Sequence, residues 1–223
     1  MKILKNEIIL LVILAILVAG TGGIAYYLQQ NQQPETETPS QNNEPEQQTE
    51  ENKESEAPEE AFTPQEELMT ERVLEDNLYS IIIPPGWVQA VTTSTRFVAV
   101  VIKPKGEIDP ENLADVDYDT YYAVNNAKMD AGSLDEYVDM LKQNLKIEVP
   151  NITFPKQTYD TINGHNSIFL ESESSAEGKE YKTLLVFVDD GAWVWALSFN
   201  TPAELWAENK DLFYRVANSL EIK

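Results

Sequence analysis

The sequence predicts an α+β domain in which an antiparallel β-sheet is sandwiched between helices, preceded by one transmembrane helix and a disordered acidic linker. Three observations carry this. Asn163-Gly164 separates two β-prone runs, helix-start signals stand at Ser133 and Thr201, and no charged residue occurs from Ile8 to Leu28. Asn-Gly is the strongest short signal for a hairpin, and a Ser or Thr followed three residues later by Glu is a helix N-terminus signature.

The 223 residues suffice for one ordinary domain with extensions. There is no cysteine, so disulfides, thiolate metal sites, a thiol nucleophile and a lipidated cysteine are all excluded.

Residues 1–7 carry Lys2 and Lys5 and are expected to stay on the cytoplasmic side. Residues 8–28 follow as the membrane span: at about 1.5 Å per residue they reach about 30 Å, the depth of the hydrocarbon core. Ten of the eleven residues from Ile8 to Val18 are Ile, Leu or Val. With the basic residues before the span, the positive-inside bias places the rest of the chain outside, Tyr26 and Tyr27 standing at the outer interface. The competing reading is a cleaved signal peptide with small residues at Gly23 and Ala25 or Val18 and Gly20, and it too exports the domain. Leu17-Val18-Ala19-Gly20 resembles the start of a lipobox, but Thr21 stands where the lipidated cysteine belongs.

Residues 29–72 hold thirteen Asp and Glu against two Lys and Arg, and have hardly any large apolar residue before Phe62. Such a segment buries too little surface to offset the entropy of ordering and is expected to be a disordered tether. Residues 73–223, the expected domain, hold twenty-four acidic against twelve basic residues, and the whole chain has a formal charge of -22. Nucleic acid and anionic lipid surfaces are therefore poor partners, since binding a phosphate chain depends on basic groups displacing counterions. A basic protein surface or a cation suits the chain better.

Within the domain, Tyr79 to Ile83 reads as a strand ending at Pro84-Pro85-Gly86. Trp87-Val88 and the run from Phe97 to Ile102 are further strand pieces. Tyr121 to Met129 is another, with Tyr121 and Ala123 on one face. Ser133 as N-cap and Glu136 make a capping box, and Leu134, Tyr137, Val138, Leu141 and Leu145 fall on one helical face. Gln157 to Ile162 and His165 to Glu173 flank the Asn-Gly turn, and a second turn stands at Glu177-Gly178. Tyr181 to Val188 and Ala192 to Phe199 complete a meander of three or four strands around Asp189-Asp190-Gly191. The last two runs are almost continuously apolar, so both faces of the sheet need helical cover. Thr201-Pro202-Ala203-Glu204 predicts the second helix, to about Ser219, with Leu205, Leu212, Val216 and Leu220 inward.

This order resembles the PsbP family, named for an extrinsic protein of the photosynthetic oxygen-evolving complex. Tyr79-Ser80-Ile81-Ile82-Ile83-Pro84-Pro85-Gly86-Trp87 is similar to its opening strand and Pro-x-Gly-Trp turn. Ser133-Leu134-Asp135-Glu136-Tyr137 resembles its helix start, Asn163-Gly164 its hairpin, and Ala192 to Phe199 its last long strand before the terminal helix. The resemblance covers about residues 75–223. It implies a PsbP-like α/β/α domain and a non-enzymatic binding or assembly module beside a membrane complex. The anchor and acidic tether depart from the soluble photosystem subunit.

Four candidate features remain. Asp115, Asp117 and Asp119 alternate, so an extended backbone puts their carboxylates on one face, a candidate calcium cluster; against an EF-hand, Thr120 replaces the glycine and Asn126 the bidentate Glu. The competing reading is a solvated acidic loop. His165, the only histidine, reads as an ordinary hairpin residue, and an extracytoplasmic hydrolase needs a Ser or Asp beside it. Trp193 and Trp195 share a strand face, as core or as an aromatic binding surface. Asn151-Ile152-Thr153 fits a glycosylation sequon. The expected function is a non-enzymatic, membrane-tethered module that engages a protein partner at the outer membrane face, with a calcium or small-ligand sensor as the alternative.

Overall fold

The computed structural model describes residues 69–90, 98–106, 116–129 and 131–223. The expected membrane span, the linker as far as residue 68, and Asp115 lie outside the described residues. Among those described, no helix is long and apolar enough to cross a membrane.

A seven-stranded antiparallel sheet forms the centre. Its strands are β3 (Val88–Gln89), β4 (Ala99–Pro104), β5 (Tyr118–Lys128), β6 (Thr153–Ile162), β7 (His165–Ala176), β8 (Lys179–Asp189) and β9 (Trp193–Pro202), in the order β3-β4-β5-β9-β8-β7-β6. After β5 the chain crosses the sheet as helix α1 (Leu134–Glu148) to the far edge, then winds back as a meander so that β9 lies beside β5. A second helix, α2 (Trp206–Asn218), covers the opposite face. With it lies a small sheet of β1 (Arg72–Glu75), β2 (Tyr79–Ile83) and β10 (Glu221–Ile222).

Two cores follow from this layering. On one face Leu134, Tyr137, Val138, Leu141 and Leu145 of α1 pack with Tyr121, Ala123, Ile168, Leu170, Leu185 and Phe187. On the other, Trp206, Phe213, Val216 and Ala217 of α2 pack with Tyr122, Val124, Leu184, Val186, Leu197 and Phe199. Alternation puts odd and even residues of each strand on opposite faces. The near-continuous apolar runs of β8 and β9 therefore serve both cores, as strands buried on two sides require.

The turns obey their chemistry. Pro85 and Gly86 occupy the centre of a turn closed by Trp87 N–H donating to the Pro84 carbonyl at 3.1 Å, and Gly86 has φ +77°, which a type II turn demands there. Trp87 then plugs the α2-side core, its ring centroid 6.1 Å from Tyr122 and edge-on to Phe213 at 6.4 Å. Asn163 and Gly164 both have positive φ, at 49° and 87°, as a type I′ hairpin needs.

The capping box at α1 is realised with one change. Ser133 Oγ accepts from Glu136 N–H at 3.2 Å, but the Glu136 carboxylate reaches back to the N–H of Gly132, at 2.9 Å.

The second helix starts later than its sequence signals predict. Thr201 and Pro202 still belong to β9, a 3₁₀ turn runs Ala203–Leu205, and α2 begins at Trp206 without a side-chain cap. The Thr201 hydroxyl is engaged with Thr120 across the strands at 2.9 Å, so it is not free to cap. Of the residues expected inward, Val216 and Leu220 are buried while Leu205 and Leu212 are half-buried; Trp206, Asn209, Phe213 and Ala217 complete the buried face. The meander from β6 to β9 has four strands, within the expected three or four, and β5, β4 and β3 extend the same sheet beyond it. Pro155 is accommodated in β6 because that strand is an edge, and the register shifts between Thr153 and Lys156 around it.

Candidate functional site

The β8–β9 turn, Asp189 to Trp193, is the best-organised exposed feature of the domain. Asp190 Oδ1 accepts from the backbone N–H groups of Ala192 at 2.9 Å and Trp193 at 2.7 Å, and Oδ2 accepts from the Trp195 indole N–H at 3.1 Å. Burial works to raise the Asp190 pKa, but the N–H groups of Trp193 and Ala192, the Trp195 indole and the nearby His165 outweigh it and hold the carboxyl below its ordinary value. Asp190 thus ties the turn's backbone to the Trp195 indole, while Asp189 Oδ1 accepts from the Gly191 N–H at 2.7 Å.

Those tryptophans then part company. Trp195 is 3% exposed and its ring centroid lies 5.3 Å from that of Tyr79 in the α2-side core, whereas Trp193, at the first position of β9, is 45% exposed. Leu78, next to Tyr79, is also exposed. An indole on a turn fixed by three hydrogen bonds loses little freedom on contact with a partner, which suits it to an interface anchor.

His165 Nδ1 lies 3.2 Å from the Asp189 carbonyl oxygen, so a backbone group takes up that ring nitrogen. The nearest serine in sequence, Ser167, donates its hydroxyl to the backbone carbonyl of His165 at 3.1 Å. That hydroxyl is directed to the main chain and makes no hydrogen bond to the ring.

The carboxylates of Asp117 and Asp119 both face Lys105, whose Nζ lies 3.8 Å from Asp117 Oδ2 and 3.0 Å from Asp119 Oδ2. The bond to Asp119 raises the Lys105 pKa against some desolvation, with both aspartates adding their charge. Lys105 thus places one positive charge against this pair. Among the described residues no group of three or more His, Cys, Asp or Glu comes together in a way that could hold a metal ion.

At the opposite end of the sheet a polar groove of about 250 Å³ is lined by residues including Asn151, Glu173, Tyr181, Lys182 and Ala203. Glu173 and Lys182 pair within it at 2.7 Å. Asn151 is exposed but not idle: its amide donates to the Ser175 carbonyl at 2.9 Å and to the Ser175 hydroxyl, so an added glycan, which replaces one of the two amide hydrogens, would forfeit one of those bonds.

Two polar hubs were not singled out by sequence reasoning. Asp190 had a legible signal, since an aspartate two residues before a backbone N–H in a turn commonly accepts from it. Glu171 had only part of one: Lys156 stands opposite it in the Asn163-Gly164 hairpin, but Lys210 and Tyr214 come from α2, far along the chain.

The solution structure of cyanobacterial PsbP (CyanoP) from Synechocystis sp. PCC 6803 superposes with a TM-score of 0.52 at 15% identity, over 70% of this chain and 94% of that one. The domain has a PsbP-like fold. The same PsbP-like architecture is shared by LpqN of Mycobacterium tuberculosis, a protein involved in cell envelope biogenesis, with a TM-score of 0.50 at 14% identity over 74% of this chain and 99% of that one. The sequence matches no protein-family model and no curated protein. At these identities the likeness is one of fold.

Proposed function

We propose that this chain is a non-enzymatic binding or assembly module, held at the outer face of a membrane by residues 8–28 and a flexible acidic tether, which engages a protein partner. The observation that carries the reading is Trp193, half-exposed on a turn that Asp190 makes rigid while Trp195, two residues on, is buried. A rigid exposed tryptophan costs solvation when unpartnered and contributes strongly when a partner covers it. The excess of acidic over basic residues in residues 73–223 favours a basic surface opposite it.

Support for the location comes from the uncharged apolar stretch and the lysines that precede it; support for binding without chemistry comes from a histidine nitrogen and a serine hydroxyl both directed to main-chain oxygens. The test is crosslinking of the full chain in native membranes, followed by identification of the captured species. A defined protein recovered in stoichiometric amount is expected. Recovery of a diffuse background, unchanged by removing the domain, would sink the reading.

A further inference from the structure

Strand β6 gives the central sheet a long free edge. Its ten residues end the strand order, and among the described residues only β7 pairs with it. The unpaired N–H and C=O groups of such an edge are a template for a further strand.

The phase of that edge follows from the hairpin. The two-residue Asn163-Gly164 turn makes Ile162 and His165 its first hydrogen-bonded pair. From there Lys156, Thr158, Asp160 and Ile162 turn their main-chain groups to β7, while Gln157, Tyr159 and Thr161 turn theirs to the free edge. In keeping with this, the Thr161 N–H is taken up by Asp160 Oδ1, at 2.8 Å. Side chains divide the same way. The even positions share the α2 side with buried Ile162, and the odd ones the α1 side, where the Tyr159 hydroxyl donates to Asp135 at 2.8 Å.

We propose that this edge takes a second copy of the chain, β6 against β6 antiparallel, with a two-fold axis at Thr158. In that register the outward-facing Gln157 and Tyr159 exchange main-chain hydrogen bonds with Tyr159 and Gln157 of the second copy. Lys156 then stands opposite Asp160 on both sides of the axis, a favourable cross-strand pair made twice. Centring the axis on Lys156 or on Asp160 would instead set like charges face to face. Lys156 has a side chain 48% exposed and holds Glu171 at 3.3 Å, and an ammonium with three donors can serve the second copy's Asp160 as well. Pro155, which lacks an N–H, and the register shift beside it lie outside the Lys156–Asp160 segment, so they end the new pairing without interrupting it. Tyr159, 65% exposed, gains cover from the second copy. The strand carries one charge of each sign in a domain where acids outnumber bases two to one, so two copies meet along a neutral strip. The proposal depends neither on the membrane span nor on Trp193.

Because the chain has no cysteine, a single introduced thiol reports the register. The two copies of Thr158 form a pair without main-chain bonds, their Cα atoms about 4.5 Å apart and within disulfide reach, whereas the two copies of Thr161 lie about 20 Å apart. The full chain with Thr158→Cys, oxidised with diamide, is expected to give about tenfold more linked dimer than the full chain with Thr161→Cys at the same concentration. Adding Asp160→Lys sets like charges opposite each other on both sides of the axis. It is expected to cut the Thr158→Cys yield about tenfold while the melting temperature stays within about 2 °C, since the Asp160 side chain is exposed. Equal yields from Thr158→Cys and Thr161→Cys, or a Thr158→Cys yield that Asp160→Lys leaves unchanged, would overturn the proposal. So would a parent chain that light scattering shows to be monomeric at the same concentration, which would leave the edge to a strand of another kind.

Discussion

The carboxylate of Asp190 receives the indole N–H of Trp195 at 3.1 Å while its other oxygen ties down the backbone of Ala192 and Trp193. One acid therefore links the backbone of the β8–β9 turn to the indole of the buried tryptophan. Asp190→Asn keeps one acceptor for the backbone but loses the charge, and is expected to cost about 1–2 kcal/mol in a urea titration. The pH dependence has a definite sign. The carboxyl is depressed in the folded state, so its contribution is full above the unfolded value and is lost as pH falls through the folded one, from about pH 4 downward. Melting temperature against pH should fall less steeply below pH 4 in the Asn variant than in the parent; parallel curves would show that this carboxylate is not the titrating group.

Tyr122 joins the two sheets. Its hydroxyl donates to the Ile82 carbonyl of β2 at 2.8 Å while its ring lies 5.4 Å from Phe199 in the main core. Tyr122→Phe keeps the ring and leaves a carbonyl unpartnered, with an expected loss of about 1 kcal/mol, or about 2–4 °C in melting temperature. Amide exchange should speed up in β1 and β2 more than in β8, because only the small sheet loses its tie.

Glu171 is a hub of different character. Its Oε1 accepts from Lys210 at 3.0 Å, Lys156 at 3.3 Å and the Tyr214 hydroxyl at 2.9 Å, and both lysines sit over the Tyr214 ring, at 5.9 and 5.6 Å from its centroid. Glu171→Ala leaves two like charges together without their counterion. Because those lysines are partly solvated, the expected loss is about 1–2 kcal/mol rather than that of a deeply buried pair. Adding Lys156→Met to Glu171→Ala should recover part of it, measured by the same denaturation.

The aspartates at the start of β5 bear on calcium. Lys105 lies within 3.8 Å of both Asp117 and Asp119, so a cation must displace a bound ammonium before it can enter. Calorimetry of the full chain with millimolar calcium is expected to show no saturable heat. Saturable heat abolished by Asp117→Asn would instead support the calcium reading of Asp115, Asp117 and Asp119.

Much of the fold was legible because its signals are local. The Ser133 cap and Asn163-Gly164 each need only a few adjacent residues to specify a conformation, and both form as their sequences imply. The misplaced start of α2 shows the limit. A threonine before a proline reads the same whether it caps a helix or ends a strand, and the deciding contact, Thr120 to Thr201, spans 81 positions. β10 was invisible for a like reason: two residues, Glu221 and Ile222, pair with Ser80 and Tyr79 from the other end of the domain. As to the candidate site, the spacing of Trp193 and Trp195 placed them on one face, but alternation says nothing about how far along the strand the cover extends. Tyr79 covers Trp195, and the cover does not reach Trp193.

Trp193→Ser, compared with the parent chain in native membranes, tests the central claim most directly. An exposed side chain at a strand end contributes little to folding, so the variant should melt within about 2 °C of the parent. Its yield of the crosslinked partner should fall at least tenfold, the loss of an interface anchor worth about 1.4 kcal/mol or more. An unchanged yield from a normally folded Trp193→Ser chain would contradict the account and move the binding surface elsewhere on the domain.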